Sequence, residues 1–145
     1  MPPQTGEAIR TASTIENDEQ LHLLSEQLEK IYESQHLSDV IMNVQGQKVK
    51  AHKLILASRA EYFQGLFFGG LKETNADEVD MGSDTEINGF HHILRYIYTG
   101  KLNFTNQNVD EVLEVLGLSH KYRLMQLEDT IQDYILKSLI GHRNL

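Results

Sequence analysis

The chain of 145 residues contains no cysteine and no tryptophan, and it has only two prolines. Without cysteine it forms no disulfide, offers no thiolate nucleophile and holds no zinc through thiolates, so a reducing compartment suits it. It also lacks an apolar run of the kind that a signal peptide or a membrane-spanning helix requires. We therefore expect a soluble protein of the cytoplasm, with the nucleus as the second location.

Positive charge is scarce as well. The chain has 13 Lys and Arg against 21 Asp and Glu, which gives a formal net charge of −8. Affinity for nucleic acid depends largely on clustered Lys and Arg that displace counterions from phosphates, so this composition argues against DNA binding. The length and the 40% of hydrophobic residues suit one domain with its own core.

The boundaries of that domain follow from the apolar periodicity. Residues 1–18 are polar, contain both prolines and show no apolar repeat, so they are predicted to form a flexible leader. We place the domain at 19–139 and a frayed end at 140–145. Regions outside this chain would then supply contacts to any further protein, such as a substrate.

The motifs of catalysis and metal binding are incomplete. The stretch from Gly117 to Lys121 begins like a nucleophile elbow, but Lys121 replaces the second glycine and no strand precedes it, so Ser119 is interpreted as a helix residue. None of the seven histidines lies four residues from another, and His91 and His92 point roughly 100° apart on a helix. We expect no enzyme, no cofactor and no metal.

A β-hairpin is predicted near the start of the domain. Val40, Met42 and Val44 alternate with more polar neighbours, and the pair Gln45-Gly46 can turn the chain with glycine at positive φ. Val49 and Ala51 then lead the chain back in a second strand.

The apolar period changes to a helical one after Ala51. Ser58 and Glu61 have the spacing of a capping box, which predicts that Ser58 ends one helix and starts another. A second capping box, Ser83 to Glu86, precedes a longer helix that Gly100 ends. The apolar stripes of the second and the longer helix are Phe63, Leu66 and Phe67, and Ile87, Phe90, Ile93, Leu94 and Ile97.

The last third of the chain is predicted to contain a short edge strand and a helical hairpin. Lys101 to Phe104 is the candidate strand, and Asn108 with Glu111 is the cap of the next helix. The two helices are lined by Val109, Val112, Leu113 and Leu116, and by Leu124, Leu127, Ile131, Tyr134 and Ile135.

Several of these segments together resemble the BTB/POZ domain. The resemblance runs from about Leu21 to about Leu139 and implies an α+β fold, a small three-stranded sheet flanked by a cluster of helices. It rests on Ser38-Asp39-Val40, Ala51-His52-Lys53, Leu56-Ala57, Tyr62-Phe63 and Tyr96-Ile97-Tyr98-Thr99-Gly100. Two further segments, from Phe68 to Glu73 and from Ser119 to Asp129, are similar to one subgroup of the family.

The first predicted helix has a broad apolar face formed by Leu21, Leu24, Leu28 and Ile31. Periodicity alone allows two interpretations, packing against its own domain or packing against a second copy. In BTB proteins the first helix packs across a two-fold axis, so the resemblance implies that these four residues form the interface of a homodimer.

The segment after Gly69-Gly70 carries the main functional prediction. Leu71 and Glu73 match the hydrophobic-x-acidic triplet that occurs here in BTB proteins that recruit a cullin-3 scaffold. Leu71 would fill a pocket on the partner, and Glu73 would orient it. Phe68 and Tyr122 are expected to extend this surface, whereas Phe67 is assigned first to the core. A solvated loop with an incidental leucine is the alternative.

Asp39 and Lys53 occupy motif positions near which some BTB domains receive corepressors. The structural alternatives are an ion pair or an Asp39 carboxylate that accepts backbone N–H bonds, and these are favoured here. His52 is interpreted as a hydrogen-bonded structural residue. The predicted function is a non-catalytic adaptor for a cullin-3 ubiquitin ligase, and the alternative is a transcription repressor that recruits corepressors.

Overall fold

The structure is a computed structural model that describes residues 13–70 and 77–143, with side chains up to 140. This part of the chain forms six helices and three strands. In chain order they are α1 (Asp18–Ser34), β1 (Val40–Val44), β2 (Gln47–Ala51), α2 (Lys53–Arg59), α3 (Glu61–Phe68), β3 (Glu78–Asp80), α4 (Ile87–Thr99), α5 (Val109–Lys121) and α6 (Met125–Arg143).

The predicted hairpin is confirmed. Strands β1 and β2 pair antiparallel, with Met42 opposite Val49. Gln45 and Gly46 both have positive φ, 50° and 77°, which is the requirement of a type I′ turn. The buried side chains alternate as expected, so one face of the hairpin lies on the core while the other faces solvent.

The third strand lies elsewhere than predicted. Residues 101–104 are irregular, and the sheet is completed by β3, which pairs parallel to β1 so that the strand order is β2-β1-β3. Only Val79 of β3 is buried, opposite Met42. A three-residue strand with one buried side chain has too short an alternation to be recognised from sequence.

Two helix starts differ from the predicted capping boxes. Helix α3 begins after Ala60, and the Ser58 hydroxyl donates instead to the carbonyl of Ile55 at 2.9 Å. Helix α4 is capped by Glu86, whose carboxylate accepts from the Gly89 N–H at 2.8 Å. In both cases the helix lies where predicted, but a different residue begins it.

The core lies between the sheet and helices α2 to α6. In α4 the predicted stripe is confirmed: Phe90, Ile93, Leu94 and Ile97 are buried, and Ile87 is partly buried against them. In α5 the buried face differs from the predicted one. Val112, Val115 and Leu118 are buried, whereas Val109 and Leu113 are exposed. The Asn108 cap is confirmed, since its side chain accepts from the Glu111 N–H at 2.8 Å.

Helix α1 lies against α4, and α6 lies against α5. Helix α6 runs to Arg143, so helical backbone continues past the predicted boundary at 139. None of the helices in the described segments is both long and apolar enough to span a membrane.

Candidate functional site

Helix α1 presents an incompletely covered apolar face. Leu21 is 52% exposed and Leu24 is 54% exposed, whereas Leu28 and Ile31 are partly buried. These residues are the four predicted for a dimer interface. Leu21, Leu24 and Leu28 line a cleft of about 450 Å³ whose other wall includes Ile55 of α2 and Ile97 of α4. The face therefore combines exposed leucines with a concave apolar surface.

Polar contacts fix α1 on α4. The Ser25 hydroxyl donates to the carbonyl of Thr99 at 2.8 Å, close to the end of α4. Farther along, the Arg95 guanidinium donates to the carboxylates of Glu29 at 2.8 Å and Glu33 at 3.4 Å. The leucine face is thus held in a defined orientation toward solvent.

A second concave surface lies beside the end of α3. Phe68, the last residue of α3, is 57% exposed, and it lines a groove of about 860 Å³. Leu71 and Glu73, which were predicted to bind a partner, lie outside the described residues. The chain leaves the groove toward them through Gly69 and Gly70, of which Gly70 has a positive φ of 80°.

The groove is lined by both apolar and charged side chains. Tyr62 and Leu66 of α3 are partly buried against the core and contribute the apolar part. Glu61 lies on the α3 side, and Lys121 and Arg123 lie at the turn between α5 and α6. The expectation that Phe68 and Tyr122 share one surface placed these two segments together, but sequence reasoning assigned none of these five residues to that surface.

Tyr122 was predicted to extend this surface, but its side chain is completely buried. Its ring lies 4.8 Å from that of Tyr62 and 5.2 Å from that of Phe63, measured between centroids. Burial raises the pKa of the Tyr122 hydroxyl. Tyr122 therefore supports the groove from beneath, by fixing α3 against the α5–α6 turn, and presents no exposed surface to a partner.

Asp39 and Lys53 are joined through the backbone. The Asp39 carboxylate accepts from the backbone N–H of Lys53 at 2.8 Å, which is the second of the two structural alternatives. The acid thereby satisfies a free N–H in the first turn of α2. The Lys53 ammonium points elsewhere, 5.9 Å from the centroid of the Phe67 ring. Phe67 itself is buried, as predicted.

His52 uses both ring nitrogens in hydrogen bonds. Nε2 lies 2.6 Å from the carbonyl oxygen of His36 and therefore carries the proton that it donates. Nδ1 then accepts from the Tyr98 hydroxyl at 2.7 Å, and the Tyr98 oxygen accepts from the His52 backbone N–H at 3.0 Å. Burial raises the pKa of Tyr98 to about 12, so the hydroxyl stays protonated.

The residues that resemble parts of catalytic or metal-binding motifs do not form such sites in the described structure. Ser119 is buried in α5, and its hydroxyl donates to the Leu116 carbonyl at 2.6 Å. Across the described ranges, no three His, Asp or Glu side chains are grouped as they would be to hold a metal ion. Among the features that remain as candidate sites are the α1 leucine face and the α3 groove, both of which suit contact with another protein.

Comparison with known proteins identifies the class of protein. A family model for the BTB/POZ domain matches residues 28–139, which is most of the chain. The BTB domain of zebrafish PATZ1 has the same fold, with a TM-score of 0.69 over 86% of this chain and 98% of that chain, at 21% identity. The chain belongs to the BTB/POZ domain family, whose domains are non-catalytic protein-interaction modules.

Two individual relatives are similar to most of this chain. BTB/POZ domain-containing protein 9 of rat is 32% identical over 127 residues, covering 88% of this chain and 21% of that protein. This is the subgroup that the segments around Phe68 and Ser119 resemble. Kelch-like protein 22 of rat is 35% identical, covering 72% of this chain and 21% of that protein. The chain therefore spans about one fifth of the length of these relatives.

Proposed function

We propose that this BTB/POZ domain acts as a homodimeric adaptor that brings a substrate protein to a cullin-3 ubiquitin ligase scaffold. It would catalyse no step of ubiquitin transfer. Family membership supports an interaction role, and the Leu71 to Glu73 triplet supports cullin-3 as the partner. The substrate would contact regions outside this chain.

The observation that carries the proposal is the α3 groove with the exposed Phe68 beside Gly69 and Gly70. A large aromatic side chain left in water at a concave surface is typical of the residues that dominate binding energy at interfaces. The Leu71 side chain follows within a few residues, so the two apolar groups would enter one contact. Lys121, Arg123 and Glu61 would set its orientation and association rate from the rim.

The α1 leucine face would form the dimer. A stable interface of this kind buries roughly 2,000 Å² or more in total and is rich in apolar side chains. Leu21 and Leu24 are exposed in one copy, and the adjoining cleft offers a surface for the partner's leucines. Two cullin-binding sites on one dimer would add avidity to the assembly.

The decisive experiment measures binding of the purified chain to the purified amino-terminal part of cullin-3 by calorimetry. Leu71→Asp and Phe68→Ser should each weaken binding at least about tenfold, or roughly 1.4 kcal/mol, because a polar or charged group replaces an apolar contact. Glu73→Ala should cost less, since a rim charge acts mainly on orientation. Melting temperature and dimerisation should be unchanged.

Val109→Asp provides the matched control. Val109 is also an exposed apolar residue, but it begins α5, at the opposite end of that helix from Lys121. An acid there is compatible with the helix dipole, so this variant should fold and bind cullin-3 like the wild type. If the wild type does not bind cullin-3, or if Leu71→Asp binds equally well, the adaptor assignment is wrong and corepressor recruitment becomes the better hypothesis.

A further inference from the structure

The contact between Tyr32 and His91 joins the first helix to the rest of the domain. Tyr32 is the buried residue of α1, and its hydroxyl lies 2.6 Å from Nδ1 of His91 on α4. The Tyr32 ring also packs against Tyr98, with centroids 5.3 Å apart. In the tautomer of neutral His91 that carries its proton on Nε2, Nδ1 accepts the hydrogen bond that the Tyr32 hydroxyl donates.

The surroundings of His91 are unfavourable to a second proton. On its own helix His91 is influenced electrostatically by His92 and Arg95, and the Arg95 guanidinium lies 5.2 Å from the centroid of the Tyr32 ring. Burial, followed by the charges of Arg95 and His92, lowers the pKa of His91 below its ordinary value of 6.5.

The acids nearby are already paired. On α1, Glu29 and Glu33 bind Arg95. On the α5 side, Glu111 lies 4.0 Å from Nε2 of His92, and Gln107 and Asn88 complete the pocket around the two histidines. These carboxylates therefore pair with Arg95 and His92 and not with His91.

We propose that His91 is a pH-sensitive latch that holds α1 on α4 while it is neutral and loosens α1 when it is protonated. Protonation places a proton on the nitrogen that accepted the Tyr32 hydroxyl and adds a cation beside Arg95. The Tyr32 oxygen must then accept a hydrogen bond from Nδ1 instead of donating one, or it loses His91 as a partner. Tyr32 is the buried side chain of α1, so its contact with His91 adds to the docking that the Ser25 and Arg95 contacts provide.

The direction of the effect follows from linkage. The folded chain binds the proton on His91 less readily than the unfolded chain does, so this residue contributes stability above pH 6.5. That contribution is lost as the pH falls below 6.5 and through the lowered pKa of the folded state. Acid should therefore open α1 before it unfolds the sheet.

The test follows the imidazole and the α1 amides of the intact chain by NMR between pH 8 and pH 5. We expect His91 to titrate below a free histidine and the amides near Tyr32 to change with the same midpoint. Hydrogen exchange, corrected for its intrinsic pH dependence, should show a several-fold loss of α1 protection at the acidic end, with the β1–β2 hairpin unaffected.

Variants separate the latch from general acid sensitivity. His91→Asn keeps an acceptor near the position of Nδ1 but cannot titrate in this range, so it should abolish the pH dependence of α1 protection. Tyr32→Phe should weaken α1 docking at neutral pH and reduce its pH dependence. His92→Asn, on the neighbouring residue, should retain the response of α1.

Two results would overturn the latch: a His91 midpoint at or above that of a free histidine, or α1 protection that falls equally in wild type and His91→Asn. The wild-type titration decides the matter even where a variant fails to fold. The latch does not depend on the adaptor proposal, because it concerns the docking of α1 within one chain.

Discussion

The hydroxyl of Tyr98 on α4 lies 2.7 Å from Nδ1 of His52, the residue that links the hairpin to α2. The same oxygen accepts the His52 backbone N–H at 3.0 Å. One side chain thus satisfies two polar groups at the point where the sheet gives way to helices. Because Tyr98 is buried, water offers no ready replacement for these bonds.

Tyr98→Phe should therefore destabilise the domain. Two polar groups of His52 lose their partner, and leaving such groups unsatisfied costs about 1–3 kcal/mol. Urea unfolding at neutral pH measures the change. Tyr96→Phe is the control, since Tyr96 is a neighbouring, partly buried tyrosine whose ring lies 5.9 Å from the Arg59 guanidinium. Equal stability of Tyr98→Phe and the wild type would refute the role of this hydroxyl.

Helix α2 offers a matched pair of leucines. Leu56 is completely buried and Leu54 is 75% exposed, although the two are on the same short helix. Leu56→Ala should cost about 2–5 kcal/mol, because it leaves a cavity in the core. Leu54→Ala should change the unfolding free energy by less than about 0.5 kcal/mol. Similar unfolding midpoints for both variants would mean that α2 is oriented differently.

Removal of the Tyr122 hydroxyl is predicted to have the opposite effect on stability. This hydroxyl is buried and, among the described residues, makes no hydrogen bond of good geometry, although Thr85 lies near enough to act on its pKa. The nearby Thr85 hydroxyl donates to the Met81 carbonyl at 2.8 Å. Tyr122→Phe should leave stability unchanged or raise it by about 1 kcal/mol, since an unsatisfied buried group is removed.

Tyr122→Ala tests the ring instead of the hydroxyl. Its loss should cost about 3–5 kcal/mol and should also weaken partner binding at the α3 groove, because the ring fixes α3 against the α5–α6 turn. Thermal unfolding gives the stability of both variants. A clear loss of stability in Tyr122→Phe would show that the hydroxyl has a partner.

Glu86 and Glu114 form a pair that depends on pH. A hydrogen bond shared with Glu86 raises the pKa of Glu114 to about 7 from an ordinary value of 4.5. Because the folded pKa is raised, the stability that this proton contributes is complete below 4.5 and is lost as the pH rises through about 7. Above that value two carboxylates repel each other beside the α4 cap.

Glu114→Gln should therefore raise the urea midpoint at pH 8 and leave it nearly unchanged at pH 5, because the amide keeps a donor for Glu86 without the second charge. Asp129→Asn, which removes an exposed acid from α6, is the control and should show no such difference between the two pH values. A gain of equal size at both values would contradict the shared-proton interpretation.

The α1 leucine face predicts the oligomeric state. The wild type should sediment as a dimer at tens of micromolar, and Leu24→Asp should give monomers because it buries a charge at the interface. His22→Asp adds a carboxylate on the opposite side of α1 and should remain dimeric. A monomeric wild type, or a dimeric Leu24→Asp, would show that this face is not the interface.

Elements with a long or regular pattern could be predicted from the sequence. Alternation determined the faces of the β1–β2 hairpin, and the Gln45-Gly46 turn followed from the preference of glycine for positive φ. The apolar stripe of α4 likewise predicted its buried side. In each case local steric preferences and the burial of apolar side chains favour the same structure.

The starts of α3 and α4, the third strand and the buried face of α5 could not be predicted in the same way. Ser58 and Glu61 have the spacing of a capping box, yet packing places the break at Ala60. A cap contributes about 1 kcal/mol, whereas several buried side chains contribute more, so tertiary packing decides between neighbouring helix starts.

The sequence by itself determined the family, the order of most elements and which residues of the hairpin and α4 form the core. Only the tertiary structure decided that Tyr122 supports the α3 groove from beneath, that Lys121 and Arg123 reach its edge, and that Tyr32 meets His91. The physical reason is distance along the chain. Local patterns constrain neighbours in sequence, while contacts between remote segments depend on how all the packed elements fit together at once.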